Sequence, residues 1–298
     1  MSRIGVATVT YNSASVLDDF LKSVWSQTHS DFLLFLIDSA STDSTQTRLH
    51  EISDPRARTV LLEKNVGFAA GCNMGIKLAL DAGCEAILLV NNDTTFPPDL
   101  FQILLDGLDA HHCDMTTPKM LYFDPPNKIW TAGGHLNKWL GYRNAQDGQN
   151  QPDDGRFDVS RRVTFTPFCC IMMRSRVIRT LGGLDEEYFV YTEDNDYCFR
   201  ALKANLSIWY LPEARLRHKV SSLTGGAETP FLIHYCTRNR IYFLHKNLHP
   251  ALAWPWTIAY IAYYAFRRLA GKDTIITWRA KHQAVRDGIR LHQQRPAL

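Results

Sequence analysis

The chain has 298 residues, 45% hydrophobic and 21% charged, ordinary proportions for a soluble globular protein whose core needs no disulfide or metal to hold it. Its 33 Lys and Arg nearly balance 30 Asp and Glu, a net charge of +3, which excludes an acidic tail and gives no footing for nucleic-acid binding. The 12 Tyr, 15 Phe and 7 Trp exclude a mostly disordered chain.

Residues 4–9 are apolar and rich in β-branched side chains, as a buried strand should be; polar Thr10, Tyr11 and Asn12 follow, so the run is no secretory signal. Residues 15–27 set Val16, Phe20 and Val24, with Leu17 and Leu21, at helical spacing. Residues 32–37 read as a second strand ending at Asp38, followed by a helix near 42–52 and a short strand over 59–62. A helix over 69–82 and a buried strand over 86–90 complete the rhythm, and a further helix starts near Pro97. This alternation predicts an α/β fold, a mostly parallel sheet with helices on both faces. Ligands of such sheets bind outside the carboxyl ends of the strands. There stand Thr10, Tyr11 and Asn12, then Asp38 and Ser39, then Asn91, Asn92 and Asp93.

From 122 to 161 the pattern changes to turn chemistry, with Pro125, Pro126, Gly133 and Gly134, and 141–160 reads as a long mobile surface loop. Order resumes at 163–165 and 169–173, then a short helix over 175–181 closed by Gly182 and Gly183, a helix over 195–204, a strand over 207–211 and a helix over 229–245. Seven Cys, an odd number without a CxxC pair, read as buried reduced thiols in a reducing cytoplasm. Residues 251–266 are almost continuously apolar and aromatic, but Pro255 interrupts them and they fall short of the ~20 residues that span a bilayer. Basic residues follow at 267, 268, 272, 279, 281, 286, 290 and 295. The segment 251–298 is thus expected either to lie on a membrane interface or to form helices packed on the catalytic part or on a second subunit.

Two acidic clusters carry the chemistry. Asp93 ends a buried strand, and Glu193, Asp194 and Asp196 crowd a predicted helix N-terminus. A helix dipole tolerates such acids, yet three exceed what a cap needs. Gly67, Gly71 and Gly75 are spaced by fours and no Lys follows, so neither the dinucleotide fingerprint nor the phosphate loop is present.

In this order the motifs resemble the inverting family-2 glycosyltransferases of the GT-A fold, and within them the rhamnosyltransferase-like branch. The resemblance covers about residues 3–250. It rests on Val9 to Asn12, Asp38 to Asp43, the run Asn65 to Gly75, Asn91 to Asp93, Gly183 to Glu186, Tyr191 to Asp196 with Arg200, His218, and Tyr235 with Arg238 to Arg240. It implies a catalytic domain over 1–250 that moves a sugar from a dTDP- or UDP-linked donor to a saccharide or polyprenol-linked acceptor. The setting implied is polysaccharide, cell-wall or lipopolysaccharide synthesis, in the cytoplasm or peripherally at the inner face of the cell membrane; a homo-oligomer stays open.

Asp194 is the implied base, with Glu193 beside it. Thr10, Tyr11, Asn12, Asp38, Asn65, Gly67, Gly71, Asn73, Asn92, Asp93 and Arg238 are expected at the donor. Asp196, Trp130 and Gly134 are expected at the acceptor, and Arg238 and Arg240 over the diphosphate or over an acceptor lipid phosphate. Asp93 and His218 are the implied ligands of Mg²⁺ or Mn²⁺, a hard cation suited to oxygen donors and a diphosphate. Asn91 stands where the family's metal motif has its first acid. A nucleotidyltransferase would need a basic glycine-rich loop after the first strand, which is missing; a non-catalytic relative has only Asn91 in its favour.

Overall fold

The computed structural model describes residues 2–219 and 229–294; Arg295 of the basic series lies outside them. The first half follows the expected alternation: β1 (Ile4–Thr10), α1 (Leu17–Trp25), β2 (Phe32–Asp38), α2 (Thr45–His50), β3 (Ala57–Leu61), α3 (Gly67–Asp81) and β4 (Ala86–Val90). The middle is more broken, with β5 (Thr94–Thr95), α4 (Leu100–Ala110), β6 (Met115–Tyr122), β7 (Ile129–Thr131), β8 (Gly134–Asn137), β9 (Arg143–Gln146), β10 (Arg161–Val163), β11 (Cys170–Arg174) and α5 (Ser175–Leu181). Then come α6 (Glu193–Lys203), β12 (Ile208–His218), α7 (Pro230–Asn247), α8 (Pro250–Leu269) and α9 (Ile275–Gln293).

One large sheet runs in the order β10-β12-β6-β11-β4-β1-β2-β3. β1 to β4 are mutually parallel where they pair, and β11 enters antiparallel between β4 and β6. The period of two decides the layers. Ile4, Val6, Leu34, Leu36, Leu88 and Val90 face one core with α1 and α4, while Ala7, Phe35, Ile37, Ile87 and Leu89 face the other with α3. β1 has β2 on one side and β4 on the other, so the crossovers diverge there and open a crevice at its carboxyl end.

Glycine sets how close α3 lies to that strand. A Cβ on Gly71 would stand 2.7 Å from Val9 Cγ2, and one on Gly75 would stand 2.6 Å from the Ala7 Cβ. The fours of the sequence are therefore a helix-on-strand seam.

Three expectations are corrected. Residues 141–160 are not a free loop: β9 pairs with β8, and the loop beyond is pinned by the wholly buried Lys119, whose Nζ bonds Asp153 at 2.7 Å and also Asp158. The strand expected over 207–211 continues to His218 across a bulge between Leu211 and Arg215. β6 has no counterpart among the expected strands because Pro118 and Lys119 sit inside it. Proline lacks a ladder donor, and the bulge of β12 lies opposite it. All seven Cys are free, six of them buried.

The α3 seam makes a stability prediction. Gly75→Val is expected to cost about 1–3 kcal/mol by overpacking, seen as a thermal midpoint several degrees lower. An unchanged midpoint would mean that α3 can lift off β1 freely.

Candidate active site

The strand ends converge as the topology demands. Asn92 is buried, and its Nδ2 donates to Val9 O at 2.8 Å and Ser13 Oγ at 3.0 Å, tying the end of β4 to the end of β1. Asp38 is fully buried: Thr10 Oγ1 donates to it at 2.8 Å, the Ser41 N–H at 2.9 Å and Gln46 Nε2 at 2.9 Å. The carboxylate expected to meet a base is thus already engaged in ordering the turn after β2. Asn12, at φ 49°, latches the same turn by accepting the Thr42 N–H at 2.8 Å. Tyr11 stays 44% exposed at the crevice, an aromatic face open to a planar ring. Asn65 Oδ1 accepts the Gly67 N–H at 2.9 Å and the Ser39 hydroxyl at 3.1 Å.

The glycine-rich entry to α3 does not stand open to a phosphate. The Phe189 carbonyl accepts the N–H groups of Phe68 at 2.7 Å and Ala69 at 3.3 Å, at the end of the helix where donors lack intrahelical partners. Gly67, at φ +82°, fits because a Cβ would lie 2.5 Å from that carbonyl oxygen. Asn73 serves the same joint, bonding Leu184 O at 2.8 Å, the Leu184 N–H at 2.7 Å and Glu186 at 2.8 Å. Gly67, Gly71 and Asn73, expected at the donor, therefore hold helix to strand and helix to loop.

Asp93 and His218 do meet. β12 pairs with β5, which brings His218 Nε2 to 3.1 Å from Asp93 Oδ1, both side chains nearly buried. The Lys219 N–H fixes the backbone by donating to Asp93 O at 2.8 Å. Trp130 sets its edge against the imidazole, ring centres 4.6 Å apart. Among the described residues, His218 Nδ1 and Asn91 Oδ1 are buried without a hydrogen-bond partner. Among the described residues no three His, Cys, Asp or Glu gather as a ready cation cage. One carboxylate and one imidazole fit a divalent cation that takes its remaining ligands from a diphosphate. Gly134 lies within the β8–β9 hairpin, where a Cβ would stand 2.2 Å from Ala145 O.

The acidic cluster divides by environment. Glu193 and Asp194 open α6 after three non-glycine residues at positive φ, Phe189 at 64°, Tyr191 at 66° and Thr192 at 75°. Burial pushes the Asp194 carboxyl up to about 6, against the pull of the Asn195 N–H. Burial, then the charge of Asp194, pushes Glu193 well above the carboxylate range. Asp196 goes the other way. Burial opposes its charge, yet Lys246 at 2.7 Å and Arg200 at 2.9 Å hold its carboxyl low, with Tyr188 and Asn247 also donating. Lys246 reaches Asp185 as well, at 2.7 Å. Asp196, expected at the acceptor, is wholly buried structure.

Glu193 and Asp194 instead form one wall of a cavity of about 780 Å³. Arg143 of β9, Thr237 and Arg240 of α7, and Trp256 and Tyr260 of α8 help line the others. Of these only Arg240 carries a motif; Trp256 and Tyr260 belong to the aromatic run 251–266, and Arg143 and Thr237 have no local signal. Arg238, expected at the diphosphate, donates to the carbonyls of Glu187 at 2.7 Å and Tyr188 at 2.9 Å. Residues 168 and 169 join the two sites: the Cys169 carbonyl accepts the Asn91 N–H at 2.9 Å, and the Phe168 ring meets Tyr197 of α6 edge-on, ring centres 5.5 Å apart.

The profile of glycosyl transferase family 2 matches residues 6–182. The chain belongs to this family. It is a glycosyltransferase with a GT-A-like fold, of the kind that uses nucleotide-sugar donors. The "dTDP-rhamnosyl transferase RfbF" of Shigella flexneri is 21% identical over 297 residues, 97% of this chain and 96% of that protein. The "N-acetylglucosaminyl-diphospho-decaprenol L-rhamnosyltransferase" of Mycobacterium tuberculosis is 27% identical over 240 residues, 74% and 77% of the two chains. In three dimensions the mannosyltransferase PcManGT of Pyrobaculum calidifontis, solved with GDP-Man and Mn²⁺, superposes with a TM-score of 0.58 at 13% identity, over 97% of this chain and 85% of that one.

The family's acidic loop rests on one lysine here. Lys246→Met leaves Asp185 and Asp196 without their shared cation and is expected to destabilise the fold by about 3–5 kcal/mol. Urea unfolding of the variant reads this directly, and a midpoint equal to the parent's would remove Lys246 from that role.

Proposed function

We propose that the protein transfers rhamnose from dTDP-rhamnose, with inversion, to a saccharide or lipid-linked saccharide in surface-polysaccharide synthesis. A UDP-linked hexose or galactofuranose is the second donor reading. The rhamnose reading is supported by the motif order and by the names of both relatives above. The observation that carries the chemistry is Asp194, a carboxyl raised to about 6 that fronts the cavity beside the strand-end crevice. A general base works best with a pKa near the working pH.

In this reading Tyr11, Asn12 and the turn after β2 receive the nucleotide. The acceptor hydroxyl loses its proton to Asp194 as its oxygen bonds the anomeric carbon. The bond from that carbon to the diphosphate breaks, and the electron pair leaves with the nucleoside diphosphate. No covalent enzyme intermediate is needed. A divalent cation held by Asp93 and His218 would neutralise charge on the departing diphosphate. Arg200 and Lys246 keep Asp196 charged and structural, so the base role falls to its unpaired neighbour.

Asp194→Asn should abolish transfer while dTDP with Mn²⁺ still raises the thermal midpoint, and EDTA should remove that rise. In the parent enzyme, kcat/KM should climb with pH through about 6, because below it Asp194 is protonated and cannot accept. A limb near 4, the ordinary aspartate range, or turnover by the variant, would exclude Asp194 as the base.

We further propose that α8 holds the enzyme against anionic lipid at the inner membrane face. No helix among the described residues is long and apolar enough to cross a membrane. Yet Leu252, Trp254, Ile258, Phe266 and Leu269 are 46–87% exposed along α8. Residues 251–298 hold eight Lys or Arg against two Asp, in a chain whose net charge is only +3, so the positive excess is concentrated in the segment that contains α8. Apolar side chains with basic neighbours are what an interfacial helix needs. The double variant Ile258→Asp, Phe266→Asp should lose co-sedimentation with phosphatidylglycerol vesicles. Retained sedimentation overturns the lipid reading, and a parent dimer split by these changes would give the face to a second copy of the chain.

A further inference from the structure

The inner face of α8 has a separate role. The cavity it lines includes Glu193 and Asp194, but Tyr11, Asn12, Asp93 and His218 of the strand-end crevice do not line it. With Asp194 as base, an idea resting on the reading above, the molecule that fills this cavity is the one that presents a hydroxyl to that base. It is therefore the acceptor and not the donor.

The walls state its chemistry. Trp256 and Tyr260 offer flat apolar faces with polar edges, the surface on which the C–H face of a sugar ring stacks. Tyr260 is held in place: Arg240 Nε donates to its hydroxyl at 3.2 Å, while Arg240 Nη2 donates to the Leu140 and Gly141 carbonyls at 2.8 Å. Arg240 is thus a brace for the ring, with Nε and Nη2 engaged. Arg143 differs. Its side chain has no hydrogen bond or ion pair among the described residues, and it adds to the charge that Arg240 already feels. The strand that carries it is anchored next door, where the Tyr142 carbonyl accepts Asn195 Nδ2 at 3.2 Å and the Tyr142 ring packs on Phe199. A positioned, unpaired guanidinium at the edge of an aromatic cavity calls for an anion on the ligand, and its planar fork suits phosphate oxygens. At about 780 Å³ the cavity is of the size that takes a sugar with such a group.

We propose that this cavity is an acceptor subsite for a phosphate-linked saccharide, its ring stacked on Tyr260 and Trp256 and its phosphate held by Arg143. The subsite then selects acceptors that carry their anion on the side away from the reacting hydroxyl.

The test uses binding without turnover. Trp256 fluorescence is titrated with two synthetic probes, N-acetylglucosamine diphosphate esterified to undecanol and the phosphate-free undecyl N-acetylglucosaminide. The diphosphate probe should bind about tenfold or more tightly than the glycoside, the scale of a charged contact of this kind. Arg143→Ala, at an exposed position, should erase that difference. Tyr260→Ala should weaken both probes, whereas Tyr260→Phe, which keeps the ring, should weaken neither strongly. In all three variants the midpoint rise with dTDP and Mn²⁺ should match the parent's, which also shows that they fold. Equal affinity for the two probes in the parent, or a difference that survives Arg143→Ala, overturns the phosphate contact. Unchanged binding in Tyr260→Ala overturns the aromatic platform. A parent that shows no response to any nucleoside diphosphate fails the transferase reading instead, whatever the probes do.

Discussion

The active geometry depends on one backbone joint, the Phe189 carbonyl seated on the first N–H groups of α3. α3 lies flush on β1 because glycine faces the strand, so its N-terminus is fixed relative to the sheet. The carbonyl that caps it belongs to the loop leading into α6, and so fixes where Asp194 stands. That loop holds three non-glycine residues at positive φ. Each costs on the order of 1–3 kcal/mol and persists only where the surroundings impose it. Asn239 imposes it directly, its Nδ2 donating to the carbonyls of Tyr188 at 2.9 Å and of Val190 and Tyr191 at 2.7 Å. A buried asparagine on α7 thus sets the backbone on which the base is mounted.

The same joint lets three acids within four residues behave differently. Asp196 points into a network with Lys246 and Arg200 and stays ionised for the fold. Asp194 and Glu193 have no such cation, and burial raises both. Two environments in one helical turn separate a structural carboxylate from a reactive one. On the neighbouring side, Asp93 with His218 offers a place for a cation. In the proposed reaction, charge that develops on a departing diphosphate and a proton leaving a hydroxyl are handled at distinct sites, as an in-line displacement requires.

The first four strands, their helices and the placing of Asp93 at a strand end and Asp194 at a helix start were legible in the sequence because each rests on local signals, short apolar runs, strand-end polar residues and acids at a helix start; His218 carries no such signal and came only from the motif resemblance. What failed to show depended on partners distant in the chain. Asp38 reads as a ligand residue until Thr10, Ser41 and Gln46 are seen to engage it. Asn73 and Arg238 read as donor contacts until their bonds to 184–188 appear. Lys119 is a lysine in a central strand, which no propensity predicts; its burial makes sense only once Asp153 and Asp158 return to it. The glycines at 67, 71 and 75 carried a correct signal, close approach, but the approaching body is protein.

α8 shows why composition alone leaves two readings of the C-terminal segment open. Read along the chain, its residues are one apolar aromatic stretch with basic residues after it. A helix divides such a stretch by angle. Ile258 and Phe266 fall on an outer face, while Trp256, Tyr260 and Tyr264 fall toward α7 and the cavity. Tyr263 lies at the seam, lining the cavity and still 51% exposed. α9 locks the arrangement against α7: a Cβ on Gly288 would meet the Arg238 carbonyl at 2.5 Å, so only glycine lets the two helices close. Arg238 in turn holds the 187–188 backbone. The C-terminal helices are therefore mechanically joined to the loop that carries the base. A surface that seats α8 and a ligand that enters beneath it would act on one rigid unit, so that an acceptor bound in the proposed way would reach Asp194 without a separate moving part.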